Sequence, residues 1–151
     1  MSILPRDKVT KLYISSDHAG YDLKEKLQAM LPELPWEDLG PSSTNSVDYP
    51  DYADELTEKI QDESTFGVLI CGSGQGMVMR ANRFSHIRAA LCWNEDMARL
   101  SRQHNNANVL CMGSRWISLE DAAKLVLVFL NTEFEGGRHA ARVEKLWKLP
   151  E

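Results

Sequence analysis

Phe66-Gly67-Val68-Leu69-Ile70 is apolar on consecutive positions and runs straight into the glycine-rich stretch Cys71-Gly72-Ser73-Gly74-Gln75-Gly76. An unbroken apolar run of strand length, closed by a turn signal, marks a parallel strand buried on both faces. Such a strand needs helices above and below it. It reaches its parallel neighbours only through crossovers of a dozen or more residues, usually helical. The remainder of the chain has to supply those parts.

The supply is regular. Leu12-Tyr13-Ile14-Ser15 reads as a first strand, stopped at Ser16-Asp17-His18-Ala19-Gly20. A helical pattern then runs through Leu23, Leu27, Met30 and Leu31 until Pro32 and Pro35 end it. Trp36 to Leu39 is a weak second strand, closed by Gly40-Pro41 and the polar loop Ser42 to Ser46. Asp48 sits at an N-cap position with Pro50 in the first turn, so a helix runs from there to about Gln61. After the glycine-rich stretch a helix extends through Asn82. Ile87 to Cys92 and Val109 to Met112 read as strands four and five, separated by a helix from about Glu95 to His104. Helices from Leu119 to Leu130 and from Gly137 to Trp147 close the chain.

Five strands alternating with helices predict an α/β fold. It is a flavodoxin/Rossmann-like, doubly wound, five-stranded parallel sheet in the order 2-1-3-4-5, plus a C-terminal helix. All 151 residues form a single domain, with residues 1–10 as an N-terminal extension. In that order the sheet switches direction between strands one and three. Ligands bind outside the carboxyl ends of the strands at such a point. Ser16-Asp17-His18 and Cys71-Gly72-Ser73-Gly74 are therefore expected to face one another.

Charge narrows the partners. Seventeen Lys and Arg against 22 Asp and Glu leave a net charge of −5, which argues against a nucleic-acid surface or an anionic membrane surface. The longest wholly apolar run, Leu125 to Leu130, falls far short of the roughly 20 residues of a membrane span. Pro5, Arg6, Asp7 and Lys8 leave no apolar signal core. Three cysteines cannot all pair, which suits a reducing, cytoplasmic setting.

Within this acidic chain a few residues carry chemistry. Gly72, Gly74 and Gly76 between a buried strand and a helix start let backbone N–H groups approach an oxyanion. Their GxGxG spacing matches neither the dinucleotide fingerprint nor the P-loop, which disfavours a flavin or nucleotide protein. The plain alternative is a tight turn that needs glycine. Cys71 opens the loop, where a thiol can act as base or nucleophile; as a buried cysteine it would otherwise be a small hydrophobe. Cys92 and Cys111 lack the glycine context and read as core, and no CxxC spacing points to a metal site. Asp17 and His18 sit in the first strand-to-helix loop as a polar pair or a helix cap. His104 ends a helix, where a histidine also complements the dipole. Arg138 and Arg142, four apart behind Gly136-Gly137, share one helix face and make a candidate phosphate grip.

Several segments together resemble one family. They are Ser16-Asp17-His18-Ala19-Gly20, Val47-Asp48-Tyr49-Pro50-Asp51-Tyr52-Ala53, Ile70-Cys71-Gly72-Ser73-Gly74 and Ile87-Arg88-Ala89-Ala90. They continue with Ser101-Arg102-Gln103-His104-Asn105, Asn108-Val109-Leu110 and Glu135-Gly136-Gly137-Arg138-His139. In this order, over residues 12 to 146, they are similar to the type B ribose-5-phosphate isomerases and the related galactose-6-phosphate isomerases.

The resemblance implies an aldose–ketose isomerase that interconverts ribose 5-phosphate and ribulose 5-phosphate and uses no metal and no organic cofactor. It implies Cys71 as the base moving a proton between C2 and C1, and Ser73 with the amides of Gly72, Gly74 and Gly76 stabilising a cis-enediolate. His104, aided by Asp17, would open the furanose ring, and Asn105 would bind sugar hydroxyls. His18, Arg138 and Arg142 would hold the phosphate, with Arg115 a further contact. It also implies a homodimer or dimer of dimers whose sites combine residues of two subunits. Gln75 and Arg80 depart from the family pattern and leave one alternative, a pocket reshaped for a six-carbon substrate, allose or galactose 6-phosphate. A non-catalytic sugar-phosphate-binding subunit is the other alternative.

Overall fold

The computed structural model describes residues 8–150; of the N-terminal extension expected over residues 1–10, residues 1–7 lie outside that range. Five strands, β1 (Lys11–Ser16), β2 (Trp36–Asp38), β3 (Thr65–Cys71), β4 (Ala89–Leu91) and β5 (Val109–Gly113), form one parallel sheet. The helices are α1 (Tyr21–Met30), α2 (Tyr49–Lys59), α3 (Gln75–Ala81), α4 (Glu95–Gln103), α5 (Leu119–Asn131) and α6 (Arg138–Glu144). No described helix is long and apolar enough to cross a membrane.

The apolar run of β3 is buried along its whole length and has a helical layer on each side, as its composition requires. Side chains alternate between the layers with the strand period of two. Phe66, Val68 and Ile70 pack with Leu27 of α1 and with Leu125 and Phe129 of α5. Leu69 and Cys71 point the other way, among Leu56 of α2 and Met77 of α3. In β5, Leu110 and Met112 join the first layer, and Val109 and Cys111 join the second.

The doubly wound parallel sheet is as expected, but its strand order corrects the 2-1-3-4-5 reading. The observed order is β2-β1-β3-β5-β4. The reason is burial. All five residues of β5 are buried, whereas the three residues of β4 are only half-buried. An edge strand leaves a row of N–H and C=O groups unpaired, so the short strand takes the edge and the longer apolar one takes the interior. The connection through α3 therefore skips a place in the sheet that β5 later fills. Another difference is the last helix, which ends at Glu144 rather than Trp147. Leaving the helix lets Leu146, Trp147 and Leu149 line a groove with Arg83, Phe84 and Ile87 beside β4.

The amino end of the sheet is tied by one buried cation. Arg102, in the last turn of α4, is 7% exposed, and its guanidinium lies over the rings of Phe66 and Phe129. Its Nε donates to the Thr132 carbonyl at 2.9 Å, and Nη1 donates to Asn106 Oδ1 at 3.0 Å and to the Ala107 carbonyl. Burial, with Arg88 adding to it, pulls its pKa down to about 10, so it stays charged at neutral pH. One side chain thus holds α4, the approach to β5 and the segment after α5. Arg102→Leu removes the donors from all three acceptors, and we expect urea unfolding to report a loss of about 2–4 kcal/mol.

Candidate active site

The first strand-to-helix connection is built around Asp17. Its Oδ1 accepts from the Gly20 amide at 3.0 Å and caps a single 3-10 turn, His18–Gly20, that leads into α1. Its own amide donates to the Ile70 carbonyl at 3.2 Å, which fastens this loop to the carboxyl end of β3. The expected approach of Ser16-Asp17-His18 to the glycine loop is therefore present, and Asp17 holds it in place as a cap. Next to it, His18 Nδ1 accepts from the Val47 amide at 3.2 Å. A ring nitrogen that accepts carries no proton, so Nε2 carries it and is free to donate to an anion.

The glycine loop rests on β5. Gly113 lies so close beneath it that a Cβ there would stand 2.6 Å from the Ser73 carbonyl group. Gly74 adopts a left-handed φ of 79°, and a Cβ on it would meet Leu91 at 2.5 Å. This conformation turns the backbone from β3 into α3 while Ser73 remains exposed at the tip. The loop after β5 closes the other side. Ser114 and Arg115 donate their amides to the Cys71 and Gly72 carbonyls at 2.9 and 3.2 Å, and the Arg115 guanidinium lies over Gly72. Ser114 Oγ donates to the Ala19 carbonyl at 2.8 Å, joining the first and last loops. Cys71, Ser73, Asp17, His18, Gly72, Gly74, Gly76 and Arg115 are thus brought to one end of the sheet.

His104, Asn105, Arg138 and Arg142 are not. Helix α4 runs back along the sheet, so His104, its C-cap, reaches the amino end, where β5 has yet to begin. Seven residues of β3 separate the two ends, about 20 Å at 3.3 Å per residue. Glu135 is fastened to this end by its amide, which donates to the Gln103 carbonyl at 3.0 Å. Arg138 and Arg142 then stand exposed on the short helix α6, and neither forms an ion pair with another described residue. Within one chain Cys71 and the two guanidiniums belong to opposite ends of the sheet.

The family model described as Ribose/Galactose Isomerase matches residues 12–146. The chain belongs to the ribose/galactose isomerase family. Ribose-5-phosphate isomerase B of Escherichia coli is 42% identical over 139 residues, covering 90% of this chain and 93% of that one. The solved ribose 5-phosphate isomerase B of Anaplasma phagocytophilum aligns with a TM-score of 0.89 and 45% identity, covering 96% of this chain and 99% of that one. The Thermotoga maritima structure of the same description gives a TM-score of 0.89 at 48% identity, with 93% and 99% covered. Membership makes this chain an enzyme, an aldose–ketose isomerase.

Against the family pattern, Arg80 is withdrawn from the site. Its Nε and Nη2 donate to Asp54 on α2 at 2.7 and 2.9 Å, so it does not reshape the pocket. Gln75 does line a cavity of about 350 Å³ next to Ser73, together with Trp93 and Trp116. Neither tryptophan stands out by composition. Their signal is position, since each follows the carboxyl end of a strand. Tyr49 was visible only within a motif, yet its ring lies over Gly76 at the start of α3.

All three thiols are buried. Burial raises Cys92 to about 11 and pushes Cys111 well above the ordinary value. Neither forms appreciable thiolate near neutrality, so both are inert core groups. At pH 8 the native protein should take up no iodoacetamide at Cys92 or Cys111 before denaturant is added, as peptide mass mapping will read. Gly113→Ala, which drives a methyl group into the Ser73 backbone, should lower turnover at least about tenfold, with the circular dichroism spectrum retained.

Proposed function

We propose that this isomerase interconverts ribose 5-phosphate and ribulose 5-phosphate through a cis-enediolate, with Cys71 as the base. The observation that carries the reading is the position of Cys71 at the carboxyl end of the central strand, next to a glycine loop whose tip exposes Ser73. The matched relatives, described as ribose-5-phosphate isomerases, support the substrate.

In the proposed reaction the Cys71 thiolate takes the proton from C2 of the open-chain aldose, and negative charge develops on O1. Ser73 and the amides of Gly72, Gly74 and Gly76 meet that charge with donors already in place, which is where electrostatic catalysis gains most. The sulfur returns the proton to C1 while a proton passes from O2 to O1, so carbon and oxygen end balanced with no hydride acceptor consumed. His104, with Asp17, moves the proton that opens the furanose ring, and Asn105 binds the sugar hydroxyls. His18 Nε2, Arg115, Arg138 and Arg142 hold the phosphate. Fixing that remote group converts binding energy into placement of C2 over the thiol.

The two sets of residues lie at opposite ends of one sheet, so the reading requires a second copy. The carboxyl-end loops of one chain would meet His104, Asn105, Arg138 and Arg142 of another, in a homodimer or a pair of dimers. A symmetric pair makes two such sites, each drawing on both chains.

Cys71→Ala should lower kcat by about 10²- to 10⁴-fold, the usual contribution of a positioned base. Mixing inactive Cys71→Ala and His104→Ala chains provides the stronger test. Random exchange forms hybrids in half the dimers, each with one intact site, so activity should recover to about a quarter of the wild-type level. Absence of recovery in demonstrated hybrids would mean that each site belongs to one chain. A higher kcat/KM for allose 6-phosphate or galactose 6-phosphate than for ribose 5-phosphate would overturn the substrate.

A further inference from the structure

The segment between α5 and α6 carries Glu135 past the end of α4, and its carboxylate meets two imidazoles there. Glu135 Oε1 lies 3.9 Å from His104 Nε2 and 3.5 Å from His139 Nε2. The two rings stack with centroids 4.3 Å apart and 16° between their planes. One donor atom from each residue lies within 4.8 Å of the other two. Among the described residues, Glu135 is the one ion-pair partner of either imidazole. Stacked imidazoles next to a single carboxylate satisfy few of their own bonding positions.

We propose that His104, Glu135 and His139 form a binding site for a divalent cation of the zinc class. Two imidazole nitrogens and one carboxylate oxygen are a donor set suited to that ion, with water taking the fourth position. Tetrahedral bonds of about 2.0–2.1 Å place ligand atoms about 3.4 Å apart, close to the shorter separation already present. The stacked rings have to fan apart to aim both lone pairs at one point. His139 is 8% exposed and held in place, whereas His104 is a half-exposed helix cap and has room to turn. Glu135 is exposed, which leaves the fourth position open to solvent.

The surroundings of His139 favour its neutral form. A ligating imidazole must be neutral, and two charged rings in a stack repel. Burial first, then His104, Arg138 and Arg142, hold His139 below its ordinary value, against the opposing pull of Glu135. The same guanidiniums repel a dication, which weakens the expected affinity. An ion here also occupies Nε2 of His104. Competition with the sugar phosphate is a consequence that rests on the isomerase reading, while the site itself does not.

Zinc titrated calorimetrically into the purified full chain without sugar should bind saturably, one ion per chain. Cobalt should give the visible absorption of a four-coordinate ion. His139→Ala and Glu135→Gln should each weaken zinc binding at least about tenfold, and the second changes an exposed residue that the fold does not need. Lack of saturable binding, or binding unchanged in both variants, would overturn the site. Because no substrate is present, neither result bears on the isomerase assignment.

Discussion

A strand covered on both faces can present a reactive group only at its end, and this constraint organises the protein. Strand β3 has neighbours on both edges and helices on both faces, and Cys71 stands at its carboxyl end. Everything near Cys71 follows from holding that end in place. The Asp17 amide binds the last carbonyl before it, the β5 loop binds Cys71 and Gly72, and Ser114 links that loop back to the turn before α1. These are mostly main-chain contacts. They keep the loop's amide donors in one geometry before any ligand arrives, the condition under which such donors stabilise developing charge best.

The opposite end has its own organiser in Arg102. A guanidinium buried over two phenyl rings stays charged because backbone and amide oxygens surround it, and it joins three segments that the sheet does not connect. That junction positions His104 and the segment carrying Glu135, and through it α6 with its two exposed arginines. The protein therefore has two prepared surfaces separated by the length of its central strand. The glycine loop, with Cys71 buried at its start, lies on one, and a histidine cluster and guanidiniums lie on the other. In the proposed dimer the two surfaces meet, and the negative overall charge makes the exposed arginines a local attraction for an anionic substrate.

Much of this was legible in the residues. The apolar run of β3, the caps at Asp48 and Asp17, and the break at Pro32 and Pro35 placed the elements to within a few residues. They did so because strand and helix periods and capping are local properties. The glycine loop was legible as a strand-to-helix turn because a left-handed φ in close packing, as at Gly74, calls for glycine. Helix α6 was overextended because its end depends on Leu146 and Trp147 lying against a neighbouring groove. Arg80 was misjudged because its partner, Asp54, is 26 residues away on another helix.

Local pattern by itself determined that this chain is an α/β parallel sheet, since periodicity, turn chemistry and side-chain type all act over a few residues. Only the tertiary structure decided the order β5 before β4, because relative burial, not chain order, assigns a strand to the edge. It alone put Cys71 and His104 at opposite ends, because a helix returning along the sheet carries its C-cap a full strand length away. The meeting of Glu135 with His104 and His139 likewise depends on how α4, α5 and α6 pack around one buried arginine, a relation no sequence window contains.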